Sequence, residues 1–272
     1  MSNKLNFIFW GTPEVASDTL EILKKAEFLP SLIITSPDAK KGRGLMIEAS
    51  PVAAFAKKNN IPCLKPEKLD EKLTLQLSTF NFQLSIVVAY GKIIPEDILN
   101  IPKLGSINIH YSLFPKYRGA SPVESAILNG ENYTGVTIQQ MEYKMDSGPI
   151  LAQEKVEIGR DETAPELRQR LMKIGGELLV RILPDLTGGK IKSIPQNESN
   201  ATHCEKIKKE DGLIDLNADG VLNYNKFRAY AVWPRTYFFQ NGKRIIITKA
   251  RLENDKFIIE KVIPEGGKER NY

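Results

Sequence analysis

The sequence is poor in the residues that build a reactive centre on their own. Its two cysteines, Cys63 and Cys204, lie far apart in no CxxC or histidine-spaced pattern. That excludes a zinc ribbon or a disulfide framework and leaves two reduced thiols and no metal as the expectation. There are only two histidines in 272 residues. No apolar run approaches the ~18 residues of a transmembrane helix. The opening MSNKLNFIFWGTPEV also lacks the longer apolar stretch of a signal peptide. A cytosolic protein without membrane contact, and a monomer, are expected. The turn Gly11-Thr12-Pro13 carries one glycine, not GxGxxG or a GKS/T ending, so no nucleotide cradle is read there. No serine or cysteine stands beside a histidine in a nucleophile-elbow pattern, which disfavours a covalent acyl-enzyme. Internal repeats are missing too.

What is present is an alternation of strand and helix signals. Leu5–Phe9, Leu32–Thr35, Ile61–Leu64, Leu84–Ala89 and Ile107–His110 are short, continuous apolar runs, the mark of strands buried on both faces. Helical patterns lie among them. Thr12 is expected to cap a helix from Pro13 to about Ala26, Ser50-Pro51 to open one through Lys58, and Ser121, Pro122 and Glu124 to form a capping box. Thr163 and Glu166 repeat that spacing before a helix to about Leu186. TGVTIQQM and ILAQEKVEI read as two further strands. The fold class is therefore α/β, a mostly parallel, open, Rossmann-like sheet spanning about residues 1–188.

Composition changes after that. Residues 189–208 are polar and aperiodic, a connector expected to lie over the surface. Residues 209–272 read as a small β-rich unit, with Asn241-Gly242 as a type I′ hairpin turn between apolar runs. Charge is uneven: residues 1–190 carry 23 basic and 22 acidic side chains, residues 191–272 carry 15 and 11, within a net +5. The basic excess at the C-terminal end is compatible with a polyanion partner and equally with a solvated surface.

Chemistry is expected at the C-terminal ends of the strands. Asn108 and His110 stand two residues apart at the end of one, so they share a face. A carboxamide donor beside an imidazole suits addition to a carbonyl-type carbon, where an oxyanion develops and a proton must leave the nucleophile. Asp146, in the KMDSGP turn, either orients or charge-balances that imidazole or simply caps its own turn. Lys40, Lys41 and Arg43, set among glycines, make a basic loop that reads as a phosphate-contacting arm or as a solvated loop.

Together these stretches resemble a known family. SINIHYSLFPKYRGASPV, FIFWGTPEVA, VVAYGKIIP and TGVTIQQMEYKMDSGPIL are similar to the motifs of folate-dependent formyltransferases. The KKGRG loop, KIKKEDGLIDL and RAYAVWPRTYFFQNGKRIIITKA narrow the resemblance to the branch acting on methionyl-tRNA, over nearly the whole chain. The resemblance implies a catalytic trio of Asn108, His110 and Asp146, with 10-formyltetrahydrofolate as donor. It implies a folate site lined by Ser112, Leu113, Phe114 and Pro115 and by the backbone of Val88, Ala89, Tyr90 and Gly91. It further implies contact of Lys40, Lys41 and Arg43 with initiator methionyl-tRNA, and an OB-like C-terminal unit, here abbreviated after KARLENDKFIIEKVIPEGGKERNY. Two rivals remain at this point. One is a sugar-nucleotide N-formyltransferase, disfavoured by the basic loop and the Trp233-Pro234 segment; the other is a non-catalytic RNA-binding module.

Overall fold

A computed structural model describes residues 5–41 and 46–272, except the side chains of Lys40 and Lys41. Arg43 lies outside the described residues. In chain order the elements begin with β1 (Phe7–Gly11), α1 (Glu14–Lys25), β2 (Leu32–Ile34), β3 (Ala39–Lys41) and β4 (Met46–Glu48). Then come α2 (Pro51–Lys58), β5 (Cys63–Leu64), α3 (Glu71–Ser78), β6 (Leu84–Val88) and α4 (Glu96–Leu99). They continue with β7 (Ser106–His110), β8 (Arg118–Gly119), α5 (Pro122–Leu128), β9 (Tyr133–Gln140), β10 (Ile150–Glu157) and α6 (Ala164–Thr187). After a short β11 (His203–Cys204) follow α7 (Gly220–Ala229), β12 (Tyr237–Gln240), β13 (Lys243–Glu253), β14 (Lys256–Pro264) and β15 (Arg270–Asn271).

Seven strands form one sheet in the order β10-β9-β7-β6-β1-β2-β5. The pairings among β5, β2, β1, β6 and β7 are parallel, and β9 runs antiparallel to both β7 and β10. The pleat sorts side chains by face. Phe7, Phe9, Ile33, Ile86, Val88, Ile107, Ile109, Val136 and Ile138 pack into one large core with α1, α2, α5 and α6. Gly175 and Gly176 let α6 lie close: a Cβ on Gly175 would meet Ile109 at 3.0 Å, and one on Gly176 would meet Ile22 at 2.6 Å. On the opposite face Ile8, Trp10, Ile34 and Val87 pack with residues of α3 and α4, such as Leu77 and Ile98. Farther across that face the registers Val87↔Asn108, Asn108↔Gln139 and His110↔Thr137 bring polar residues side by side. Neither helix layer supplies this polar stripe with a core of its own, and it is where the site forms.

Two caps differ from expectation. The Thr12 hydroxyl does not cap α1; it donates to the Tyr90 carbonyl at 3.2 Å and lies 3.0 Å from Ser36 Oγ. The Ser121 hydroxyl donates to the Glu205 carbonyl, and Glu124 pairs with Arg168, so the expected capping box is not formed. In both places a tertiary partner outcompetes the local one. Ser50 does cap α2, accepting from the Ala53 N–H at 3.0 Å. The C-terminal strands form an open antiparallel sheet in the order β12-β13-β14-β15 over Ile214, Phe238, Ile245, Ile247 and Val262. Asn241 and Gly242 both have positive φ, +52° and +73°, as a type I′ turn requires.

Candidate active site

His110 closes β7, and its ring is almost fully buried. Its Nε2 lies 2.8 Å from the Tyr117 carbonyl oxygen. A carbonyl only accepts, so Nε2 carries the hydrogen and Nδ1 holds the free lone pair. Nδ1 faces Asp146 Oδ2 at 3.6 Å, too far for a hydrogen bond but close enough for an ion pair once Nδ1 is protonated. The Phe114 ring stacks on the imidazole with centroids 4.5 Å apart. Burial holds the His110 pKa below the ordinary histidine value, against the opposing pull of Asp146 and of the Tyr117 carbonyl. The ring is therefore neutral at physiological pH, with its basic nitrogen aimed at a carboxylate. The backbone carbonyl fixes its orientation, and the carboxylate faces the nitrogen that carries no hydrogen.

Asp146 adopts a left-handed conformation, φ +54°, unusual for a residue with a side chain. Its Oδ2 accepts from the Gly119 N–H at 2.8 Å and its Oδ1 from the Gln139 amide at 3.0 Å. Asn108 donates one amide hydrogen to the Val87 carbonyl at 3.0 Å. That bond fixes the carboxamide on the same face as His110 and leaves its second N–H available.

The segments assigned to folate take different parts. The Ser112 side chain is buried, its hydroxyl donating to the Lys116 carbonyl at 2.6 Å, so it shapes the loop and does not line an open slot. Leu113 packs over Gly135. Phe114 and Pro115 follow in the same loop, where the Phe114 N–H donates to Thr137 Oγ1 at 3.2 Å and its carbonyl accepts from Gln153 at 3.1 Å. The Val88 side chain belongs to the large core, and the residue as a whole is buried where β6 pairs with β1. Ala89 and Gly91 are exposed with φ +46° and +84°, and Gly91 borders open space. Tyr90 is buried edge-to-face against Trp10, its hydroxyl without a partner among the described residues and its pKa pushed up to about 12 by burial. Lys40 and Lys41 lie in the β3–β4 hairpin, in register with Ile47 and Met46, both 71 % exposed.

The sequence reading missed Thr137, Gln139 and Gln153, which surround the trio on the same face. The alternation in TGVTIQQM held the signal for the first two, since Thr137 and Gln139 pair with His110 and Asn108 across the strands. It missed Arg118 and Gln196 as well, and no local pattern marks them.

A family model described as formyl transferase matches residues 3–183, and one described as formyl transferase, C-terminal domain, matches residues 206–267. The chain belongs to the formyl transferase family. Methionyl-tRNA formyltransferase of Dictyoglomus turgidum is 41% identical over 272 residues, covering 98% of this chain and 86% of the relative. Its counterpart in Sulfurihydrogenibium sp. is 37% identical over 250 residues, 91% of this chain and 80% of the relative. Among solved structures, an N-formyltransferase from Helicobacter canadensis, in complex with folinic acid and dTDP-3-aminofucose, superposes with a TM-score of 0.70. It is 20% identical and covers 92% of this chain and 88% of its own, a likeness of fold. Among the described residues of this formyltransferase, no helix is long and apolar enough to cross a membrane, and no group of three or more His, Cys, Asp or Glu is placed to hold a metal ion.

Proposed function

We propose that this formyltransferase moves the formyl group of 10-formyltetrahydrofolate onto the α-amino group of initiator methionyl-tRNA, with Asn108, His110 and Asp146 as the working residues. The approach of His110 Nδ1 to Asp146 Oδ2 on the polar stripe of the sheet carries the assignment. The donor supplies a formyl carbon already bonded to nitrogen. Attack by the amine moves charge onto the formyl oxygen and leaves a proton to be removed. Asn108 donates its free N–H to that oxygen, the kind of contact whose loss typically costs about 2.7–4 kcal/mol of barrier. His110 takes the proton at Nδ1 while Asp146 neutralises the imidazolium. As the tetrahedral intermediate collapses and the formyl carbon–N10 bond breaks, the imidazolium returns that proton to the departing folate nitrogen. A free α-amino group titrates near pH 7.7–8.0, so a weak base suffices.

The donor's flat ring fits the turn after β6. The exposed backbone of Ala89 and Gly91, with the Tyr90 hydroxyl and the buried Gln139 Oε1, both without a partner among the described residues, supply polar groups of the kind a pterin satisfies. The basic hairpin of Lys40 and Lys41, continuing to Arg43, and the basic C-terminal sheet are the proposed contacts to tRNA phosphates. On this reading the enzyme works in the cytoplasm, as one catalytic unit of residues 1–188 joined through 189–208 to a tRNA-binding unit of 209–272. Labelled formyl transfer from the folate donor to methionyl-tRNA tests the proposal, with an amino-sugar nucleotide offered in parallel and His110→Ala as control. Transfer to the sugar alone, or unimpaired transfer by His110→Ala, would overturn it.

A further inference from the structure

The segment between the two units does more than connect them. Near its middle, the Gln196 amide is fully engaged and can point only one way. Its Oε1 accepts from Arg118 Nε at 3.0 Å and from Arg118 Nη2 at 2.8 Å. Its Nε2 donates to the carbonyls of Asp146 at 2.9 Å and Gly148 at 2.7 Å. A guanidinium has no acceptor and the two carbonyls have no donor, so the side chain cannot flip without losing all four bonds. Arg118 is itself 1 % exposed, with its outer nitrogens on Glu198 at 2.7 and 3.1 Å. The same segment holds the other supports of the site. In the β11–β8 pairing the Arg118 N–H donates to the Thr202 carbonyl at 2.9 Å and the Ala120 N–H to the Cys204 carbonyl at 3.1 Å. That fixes Gly119, whose N–H binds Asp146 Oδ2. Thr202 Oγ1 accepts from the N–H of Tyr117, whose carbonyl orients His110.

We propose that Gln196, locked by Arg118, is the positioning residue that holds the left-handed turn at Asp146 and so aims its carboxylate at His110. The interdomain segment is thus a wall of the active site. This rests on the reading of Asp146 as a working residue. A left-handed residue with a side chain persists only where its surroundings over-determine it, and Gln196 supplies two of the bonds that do so. None of its contacts reaches the reacting atoms, so it acts through the turn at Asp146 and Gly148 that it holds.

The test is a double-mutant cycle in formyl transfer to methionyl-tRNA, using the full chain with Gln196→Ala, Gln196→Glu, Asp146→Asn and the pair Asp146→Asn with Gln196→Ala. Gln196→Glu keeps the shape and the Arg118 partner but removes both donated hydrogens. Misplacing a catalytic group by about 1 Å can cost roughly 10²-fold, so each Gln196 variant should lower kcat by about 10- to 100-fold, with KM for both substrates within about twofold. In the Asp146→Asn background, removing Gln196 should change kcat by less than about threefold. A purely structural Gln196 would instead give the same loss in both backgrounds, or would be rescued by Gln196→Glu, and either result overturns the inference. An Asp146→Asn enzyme with normal turnover would refute the reading of Asp146 instead, so the two failures are told apart.

Discussion

Replacing Asp146 by Asn tests the charge at the site with little change in shape. At 3.6 Å, and with an effective dielectric of about 20, the carboxylate attracts a protonated His110 by about 5 kcal/mol. If half of that is realised when the proton is half transferred, the variant should transfer formyl on the order of 10²-fold more slowly. The same charge opposes the burial that depresses the His110 pKa, so removing it must move the imidazole midpoint further down. The chain has only two histidines, so His203→Asn leaves a single ring to follow by nitrogen NMR. In that background the neutral ring should carry its hydrogen on Nε2, titrate below the ordinary histidine value, and titrate lower still with Asp146→Asn. Single-turnover transfer at a pH above both midpoints then separates the rate effect from simple protonation. A midpoint that rises in Asp146→Asn, an Nδ1–H tautomer, or a rate within threefold of the parent would refute the reasoning.

Asn108→Ala should slow transfer by roughly 10²–10³-fold and leave folate affinity, measured by equilibrium titration, within twofold. Because the His110 pKa is lower folded than unfolded, the unfolded chain binds the extra proton between its own midpoint near 6.5 and the lower folded one. Stability, measured as a urea midpoint, should therefore fall as pH drops through that window, and His110→Gln should remove this contribution. Gly148→Ala would place a Cβ 1.8 Å from the Gln140 carbonyl oxygen, so we expect about 1–3 kcal/mol of destabilisation in urea unfolding together with loss of transfer. Phe9→Ala, at a fully buried core position, should cost about 3–5 kcal/mol and leave KM values unchanged in the folded fraction.

The central sheet was legible because its strands are buried on both faces and read as unbroken apolar runs, and the Asn241-Gly242 turn because only a few residue pairs adopt its dihedrals. The caps at Thr12 and Ser121 were misread for a physical reason: each hydroxyl found a partner distant in sequence, which no local pattern records. The short pairings β3–β4 and β8–β11 carry too few residues to show periodicity. Within the site, the common face of Asn108 and His110 followed from the strand pleat, whereas Asp146 was raised by its Gly-containing turn and preferred over a turn-capping role through the family likeness. The backbone carbonyl that fixes the imidazole, and the chain of contacts from Arg118 through Gln196 to Asp146, depend on residues up to 78 positions apart. Such contacts exist only once the chain has folded.

The placement of Gln196, Thr202 and Cys204 has a practical consequence for dissecting this enzyme. A fragment ending with α6 would keep every strand of the seven-stranded sheet, the imidazole and its carboxylate. It would nevertheless surrender the outer clasp of its reaction centre, so a well-folded but sluggish fragment would reveal where the cut fell and not what the missing lobe does.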